Sequence, residues 1–218
     1  MKVRILAAVA ALALGTAISG GAAQAATYYL NTTDVDAFGS GNFGEVTVTG
    51  TSTDLHFDVQ MFGAYQIIDT GSHFAFAGDV TGTIASSGGL VLPSSETPGG
   101  TPDFTLTKGT NISNSPFGGF DFALNCTSCG PGSNNPFGQH LIFDIIGTGL
   151  AIQQASTHNS QPIYFAADVT DAHGNTGAVG GGPQGAVPEP ATWGLMIMGV
   201  AGIGAAMRAQ RRRALTAA

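Results

Sequence analysis

What most constrains this chain is a period-two alternation of apolar and polar residues in short runs. In LHFDVQM, Leu55, Phe57, Val59 and Met61 fall on one side and His56, Asp58 and Gln60 on the other. HLIFDII does the same, setting Leu141, Phe143 and Ile145 against His140 and Asp144. GEVTVTGT, HFAFAGDV, DFTLT, GFDFAL and IYFAADVT follow the pattern. Successive side chains of a strand point to opposite faces, so each run makes a strand with one apolar and one polar face. Gly, Pro, Asn and Ser bound the runs and favour turns there. No stretch between residues 26 and 176 sustains a helical period. About eight short strands joined by polar turns predict an all-β domain of the β-sandwich or jelly-roll kind.

Glycine supplies 33 of the 218 residues, about twice the usual ~7 %. Such a content reads as low complexity until the aromatics are placed. All 13 phenylalanines lie between Phe38 and Phe165, so the middle of the chain has the material for a core. Residues 26–176 have the length of one domain. The segment 177–187, GAVGGGPQGAV, reads as a Gly/Pro linker.

The two ends differ from the middle. Lys2 and Arg4 precede an apolar run from Ile5 to Ile18, and Ala23-Gln24-Ala25 follows. A basic start, a short apolar stretch and an A-x-A site are the layout of a signal peptide, here 1–25, cut by signal peptidase after Ala25. At the other end, Trp193–Met207 is an apolar run of 15 residues. As a helix it reaches about 22 Å, short of a hydrocarbon core of about 30 Å. A single C-terminal transmembrane helix is expected over about 192–207. Trp193 marks its outer border, and Arg208, Arg211, Arg212 and Arg213 hold its other end in the cytoplasm. Residues 214–218 then form a cytoplasmic end, and the β-domain stands outside the cytoplasm.

Charge narrows the partners. Six of the seven basic residues lie in these terminal segments, and only Lys108 stands between Ala26 and Val187. That lysine against thirteen carboxylates leaves a net charge of −12 there. Such a surface repels phosphate backbones, which excludes nucleic acid as a partner. Divalent cations and neutral sugars remain compatible.

Several motifs carry candidate chemistry. Cys126 and Cys129 form a C-x-x-C among Asn, Ser, Pro and Gly. In an exported all-β chain this predicts a local disulfide, since zinc lacks a second cysteine pair and a redox site lacks its helix. DVDAFGSGNFGE resembles a twelve-residue calcium loop: Asp34, Asp36, Asn42 and Glu45 stand at ligand positions, with Gly39 at the sharp turn. Phe38 replaces one oxygen ligand, so the alternative is a solvated Gly-rich loop. IIDTGSHF reads like an aspartic protease loop with Asp69 as its carboxylate. One such loop per chain requires a dimer to bring two carboxylates together, and Asp-Thr-Gly-Ser is equally ordinary turn chemistry. Thr47, Thr49, Thr51 and Thr53 alternate as a threonine ladder that could face ice or a polysaccharide, though threonine is also simply a good strand residue. The five histidines show no ligand spacing.

Pro188-Glu189-Pro190-Ala191-Thr192-Trp193, followed by an apolar Gly-rich run and then arginines, resembles the PEP-CTERM sorting signal of Gram-negative bacteria, in the variant with Trp after the second proline. Here Gly194 stands where that variant usually has Ala. The resemblance covers 188–213. It implies an inner-membrane-anchored precursor read at Pro188, Glu189, Pro190 and Trp193 by an exosortase-type enzyme. The mature form is then expected at the cell surface or in the extracellular polysaccharide matrix. Together these readings give an exported structural or interaction protein, not an enzyme and without a resident cofactor. The alternatives are a calcium-assisted carbohydrate-binding module, an aspartic protease dimer and an ice-binding protein.

Overall fold

The computed structural model describes residues 24–71, 74–93, 104–130 and 133–183. Most of the predicted leader, and the whole sorting tag with its helix and arginine cluster, lie outside the described residues. Among those described, no helix is long and apolar enough to cross a membrane.

The alternating runs form strands. β1 (Gln24–Thr33), β2 (Gly44–Thr51) and β3 (Asp54–Met61) make an antiparallel meander. Four short strands follow: β4 (Gln66–Ile67), β5 (Phe76–Gly78), β6 (Val80–Ile84) and β7 (Leu90–Val91). β8 (Phe104–Ser113) and β9 (Gly119–Cys126) form a hairpin. The chain then runs through β10 (His140–Ile152), a small hairpin of β11 (Ser156–His158) and β12 (Gln161–Ile163), and finally β13 (Phe165–Thr170) and β14 (Thr176–Gly182).

Twelve of these strands belong to one sheet, ordered β6-β10-β3-β2-β1-β14-β13-β5-β9-β8, with β4 beside β13 and β7 beside β10. The all-β expectation holds, but in place of two facing sheets there is one sheet curled on itself. Alternation shows that each strand has a buried face. It is silent on whether a second sheet or the same sheet covers that face. The curl is visible at β5 and β6, which are one extended run interrupted only by Asp79. β5 lies between β13 and β9, whereas β6 pairs with β10 at the far edge of the sheet. A single segment thus joins two distant parts of the sheet and nearly closes it into a barrel. β10 allows this by serving two partners: His140–Ile146 pair with β3, and Gly147–Ile152 pair with β6 across a register shift.

The inward faces fill the barrel with aromatic rings. Phe57, Phe76, Phe122, Phe143 and Phe165 are all fully buried. Phe57 and Phe143 stack at 4.7 Å, and Phe122 and Phe165 meet Phe57 edge-on at 5.7 and 6.0 Å. Rings that large need space from small neighbours. Gly78 on β5 supplies it, lying directly against Phe122 and Phe165.

A second, smaller cluster lies on the outer side of the sheet. Phe117, Phe120 and Ile163 cover Ala77, Ala123, Ala166 and Ala178. β13 is therefore buried along its whole length, and β14 from Ala178 onward. This corrects the linker reading of 177–187. Its first part, Gly177–Gly182, is the end of a central strand between β1 and β13. The glycines there answer to packing: the Phe117 ring lies 3.0 Å from where a Cβ on Gly180 would stand. A composition typical of linkers also suits a strand pressed on both faces.

Candidate functional site

The outward face of the β1–β2–β3–β10 region carries polar residues from four neighbouring strands. Strand pairing aligns its residues in rows. One row runs Tyr29, Glu45, Gln60, His140; the next Thr27, Thr47, Asp58, Ile142; the third Ala25, Thr49, His56, Asp144. With strands about 4.8 Å apart and same-face residues about 6.8 Å apart, the rows cover roughly 14 by 14 Å. Two imidazole–carboxylate pairs tie β3 to β10: His56 Nδ1 to Asp144 Oδ1 at 2.5 Å, and His140 Nε2 to Asp58 Oδ1 at 2.8 Å. Thr27 and Thr47 meet hydroxyl to hydroxyl at 3.5 Å. Cross-strand polar pairs of this kind hold register and order the surface. The result is an ordered array of hydroxyl, amide, imidazole and carboxylate groups able to hydrogen bond with a polar partner.

The threonine ladder is shorter than its spelling. Thr47 and Thr49 lie on the sheet, but Thr51 ends β2, and Thr53 sits in the turn, its hydroxyl 3.1 Å from that of Thr51. Gly50, with φ of 133°, lies where the chain bends against Asp54.

The residues of the calcium-like loop do not come together. Asp34 Oδ1 pairs with His158 Nε2 of β11 at 2.6 Å. Asp36 opens a 3-10 turn, Asp36–Phe38, and Glu45 stands on β2 opposite Tyr29 and Gln60. Among the described residues, no three His, Cys, Asp or Glu side chains gather at one point. Phe38, the residue out of place in a calcium loop, is a core residue that packs edge-on against Tyr65 at 5.3 Å.

Asp69 anchors backbone. Its Oδ1 accepts from Gly71 N–H at 2.9 Å, shaping the Asp-Thr-Gly turn, and its Oδ2 accepts from Cys126 N–H at 2.9 Å. The next residue is held as firmly: Thr70 donates its backbone N–H and its hydroxyl to Asp168 Oδ2, at 3.0 and 2.7 Å. The motif therefore pins its turn to the end of β9 and to β13. A disulfide joins Cys126 and Cys129, with Cα atoms 5.5 Å apart, just where Asp69 holds the strand end. His173 lies in a turn organised by Asp171, whose carboxyl is held below the usual range chiefly by the Asn175 side-chain amide.

Ala25 pairs with Thr49 inside β1, so cleavage after it would shorten that strand by two residues. Ala23, Pro188, Glu189, Pro190, Trp193, Arg208, Arg211, Arg212 and Arg213 lie outside the described residues.

One group was not singled out by sequence. Asp79 joins β5 to β6 and is only 7 % exposed. One step beyond the Gly78–Phe122 pair, it faces Asp121 on β9, and Gln153 Nε2 donates to Asp121 Oδ2 at 3.2 Å. Burial, with Asp121 alongside, pushes the Asp79 carboxyl up to about 6. The available signal was a carboxylate inside each of two apolar runs, AFAGDV and GFDFAL, where alternation alone treats it as an outward residue.

No curated protein and no solved structure matched this chain in comparison. Residues 186–213 do match the family model of the PEP-CTERM protein-sorting motif, so the β-domain is followed by the sorting tag that marks an exosortase-sorted exported protein.

Proposed function

We propose that this chain is a non-enzymatic protein of the cell surface or extracellular matrix, exported as an inner-membrane-anchored precursor and released from its anchor by an exosortase-type enzyme. The observation that carries the reading is the sorting-motif match at 186–213, starting just after the domain's last strand ends at Gly182. The leader at 1–25 brings the chain to signal peptidase, and the helix at about 192–207 holds the precursor until Pro188, Glu189, Pro190 and Trp193 are read. The polar rows on β1, β2, β3 and β10 are the surface offered to an extracellular polysaccharide. Their hydroxyl and amide groups suit neutral sugar, and the −12 charge disfavours anionic polymers.

The other readings gain nothing from the geometry. Calcium-assisted sugar binding through Asp34, Asp36, Asn42 and Glu45 needs those groups at one point. A protease dimer needs an Asp69 whose oxygens are available. Ice binding needs a longer threonine array than Thr47 and Thr49.

The test is cell fractionation and intact mass of the mature protein with and without the exosortase. The expected mature form begins near Ala26, lacks 188–213 and is found at the surface or in the matrix. Without the enzyme the precursor stays in the inner membrane. A surface form that retains 188–213 refutes the sorting reading.

A further inference from the structure

The barrel seam holds a group of side chains that sorting leaves unexplained. Asp79 lies between β5 and β6, where the chain crosses from one part of the sheet to the other. One step beyond the Gly78–Phe122 pair, it faces Asp121 on β9. Gln153, just past the end of β10, donates its backbone N–H to the Asp79 carbonyl at 3.1 Å and its side-chain Nε2 to Asp121 Oδ2 at 3.2 Å. β5 and β9 are neighbours in the sheet, and closure brings the end of β10 to the same two carboxyls.

The pair is poorly compensated by the protein. Asp79 is more than nine-tenths buried, and its Oδ1 has no hydrogen-bond partner. Withdrawing a charged oxygen from water without a donor is costly, and two adjacent carboxylates cannot both stay ionised without positive charge beside them. Lys108 is the sole lysine or arginine among the described residues. Its ammonium donates to the Ala85 carbonyl oxygen at 2.6 Å, bridging β8 to the end of β6, and its side chain lines the same cleft as Asp121 without an ion pair to it. No ion pair to Asp79 or Asp121 forms among the described residues. A cleft of about 300 Å³ between β6 and β8 opens onto Asp121, with Thr83 and Thr110 on its walls. An ion with its waters therefore has a way to Asp121.

We propose that Asp79, Asp121 and Gln153 form a calcium site that clamps the barrel seam. Calcium takes about 6–8 oxygen ligands in a flexible shell. The two carboxylates offer up to four. Turning the Gln153 amide about its last bond places Oε1 where Nε2 now stands and adds a fifth. Water from the cleft completes the shell. Magnesium is the poorer fit, because it demands a near-octahedral shell and gives up its own water reluctantly. Bound here, the ion neutralises the two carboxylates and ties the β5–β6 junction to β9 and to the end of β10. The site shares no residue with the Asp34–Glu45 loop.

The test is calorimetric titration of calcium-stripped full chain with calcium chloride, with magnesium chloride as the parallel arm and unfolding temperature as a second readout. The expected result is one calcium per chain, a raised unfolding temperature and a weaker response to magnesium. Asp79→Asn and Asp121→Asn each weaken calcium binding at least about tenfold, whereas Asp34→Asn combined with Asp36→Asn leaves it unchanged. Asp79→Asn also raises the calcium-free unfolding temperature, since an amide needs no counter-charge, and this shows that the variant folds. Binding that survives both seam substitutions overturns the proposal. So does an unaltered chain that neither binds calcium nor gains stability from it; a shared proton then neutralises the pair. Neither outcome touches the sorting reading, which is scored by the mass and location of the mature protein.

Discussion

Gly78→Ala is the sharpest probe of how this barrel is filled. A Cβ at position 78 would stand 2.7 Å from Phe122 Cζ and 2.8 Å from both Phe122 Cε1 and Phe165 Cδ1. Non-bonded carbons rest about 3.5–4.0 Å apart, so each ring would have to withdraw by roughly 1 Å. Neither has room. Both are fully buried; Phe165 is held by Tyr28 at 4.9 Å and Phe76 at 5.7 Å, and Phe122 by Phe57 at 5.7 Å. In favour of alanine are about 0.5–1 kcal/mol of reduced backbone freedom and about 0.8 kcal/mol for a buried methyl. Against it, overpacking costs typically about 1–3 kcal/mol, and displacing two rings puts the cost at or above the top of that range. The expected net loss is about 2 kcal/mol. Urea unfolding followed by near-ultraviolet circular dichroism measures it. Phe122→Leu removes the most obstructed atoms, so the double variant should be at least about 1 kcal/mol more stable than the two single losses would sum to. Strict additivity, or a Gly78→Ala variant within about 0.5 kcal/mol of the parent, would refute the packing argument.

Two further outcomes follow from the same structure. The Asp79 carboxyl, raised by burial and by Asp121 to about 6 from the usual 3.8, binds its proton more tightly folded than unfolded. In calcium-free buffer its contribution to stability is therefore greatest below about pH 4 and is lost as pH rises through 6. Unfolding free energies of parent and Asp79→Asn should diverge over that interval in favour of Asn; a difference that stays constant with pH contradicts the assignment. Asp69→Ala removes the acceptor of two backbone N–H groups and should cost about 2–3 kcal/mol, read from the same unfolding curves. A loss below about 0.5 kcal/mol would mean that those bonds contribute little.

How much of this was legible in the sequence depends on what each signal encodes. Alternation located the strands and the inward residues, because the pleat ties side-chain direction to parity: Leu55, Phe57, Val59 and Met61 are all buried, as are Leu141, Phe143 and Ile145. It could not report closure. Closure depends on β5 and β6 pairing with strands at opposite ends of the sheet, a long-range fact with no local signature. Gly177–Gly182 misled for a related reason, since glycine content marks freedom in a linker and close approach in a buried strand. The sorting tag was fully legible because its recognition is linear. The cross-strand pairs His56–Asp144 and His140–Asp58 join residues more than 80 positions apart, so register alone reveals them.

The position of β14 leaves the sheet incomplete until late in the chain. A chain made from its N-terminus onward can build the β1–β2–β3 meander early, since neighbouring strands close short loops. The other edge of β1 stays bare until Gly182 arrives to face Tyr29. Until then β1 and β13 both offer open hydrogen-bonding edges, the arrangement most prone to pairing with a neighbouring chain. The strand that covers those edges ends just short of residue 186, where the sorting motif begins. Completion of the barrel and emergence of the tag thus fall within a few residues of each other, and a sorting enzyme that waits for the tag meets a domain with every strand already made.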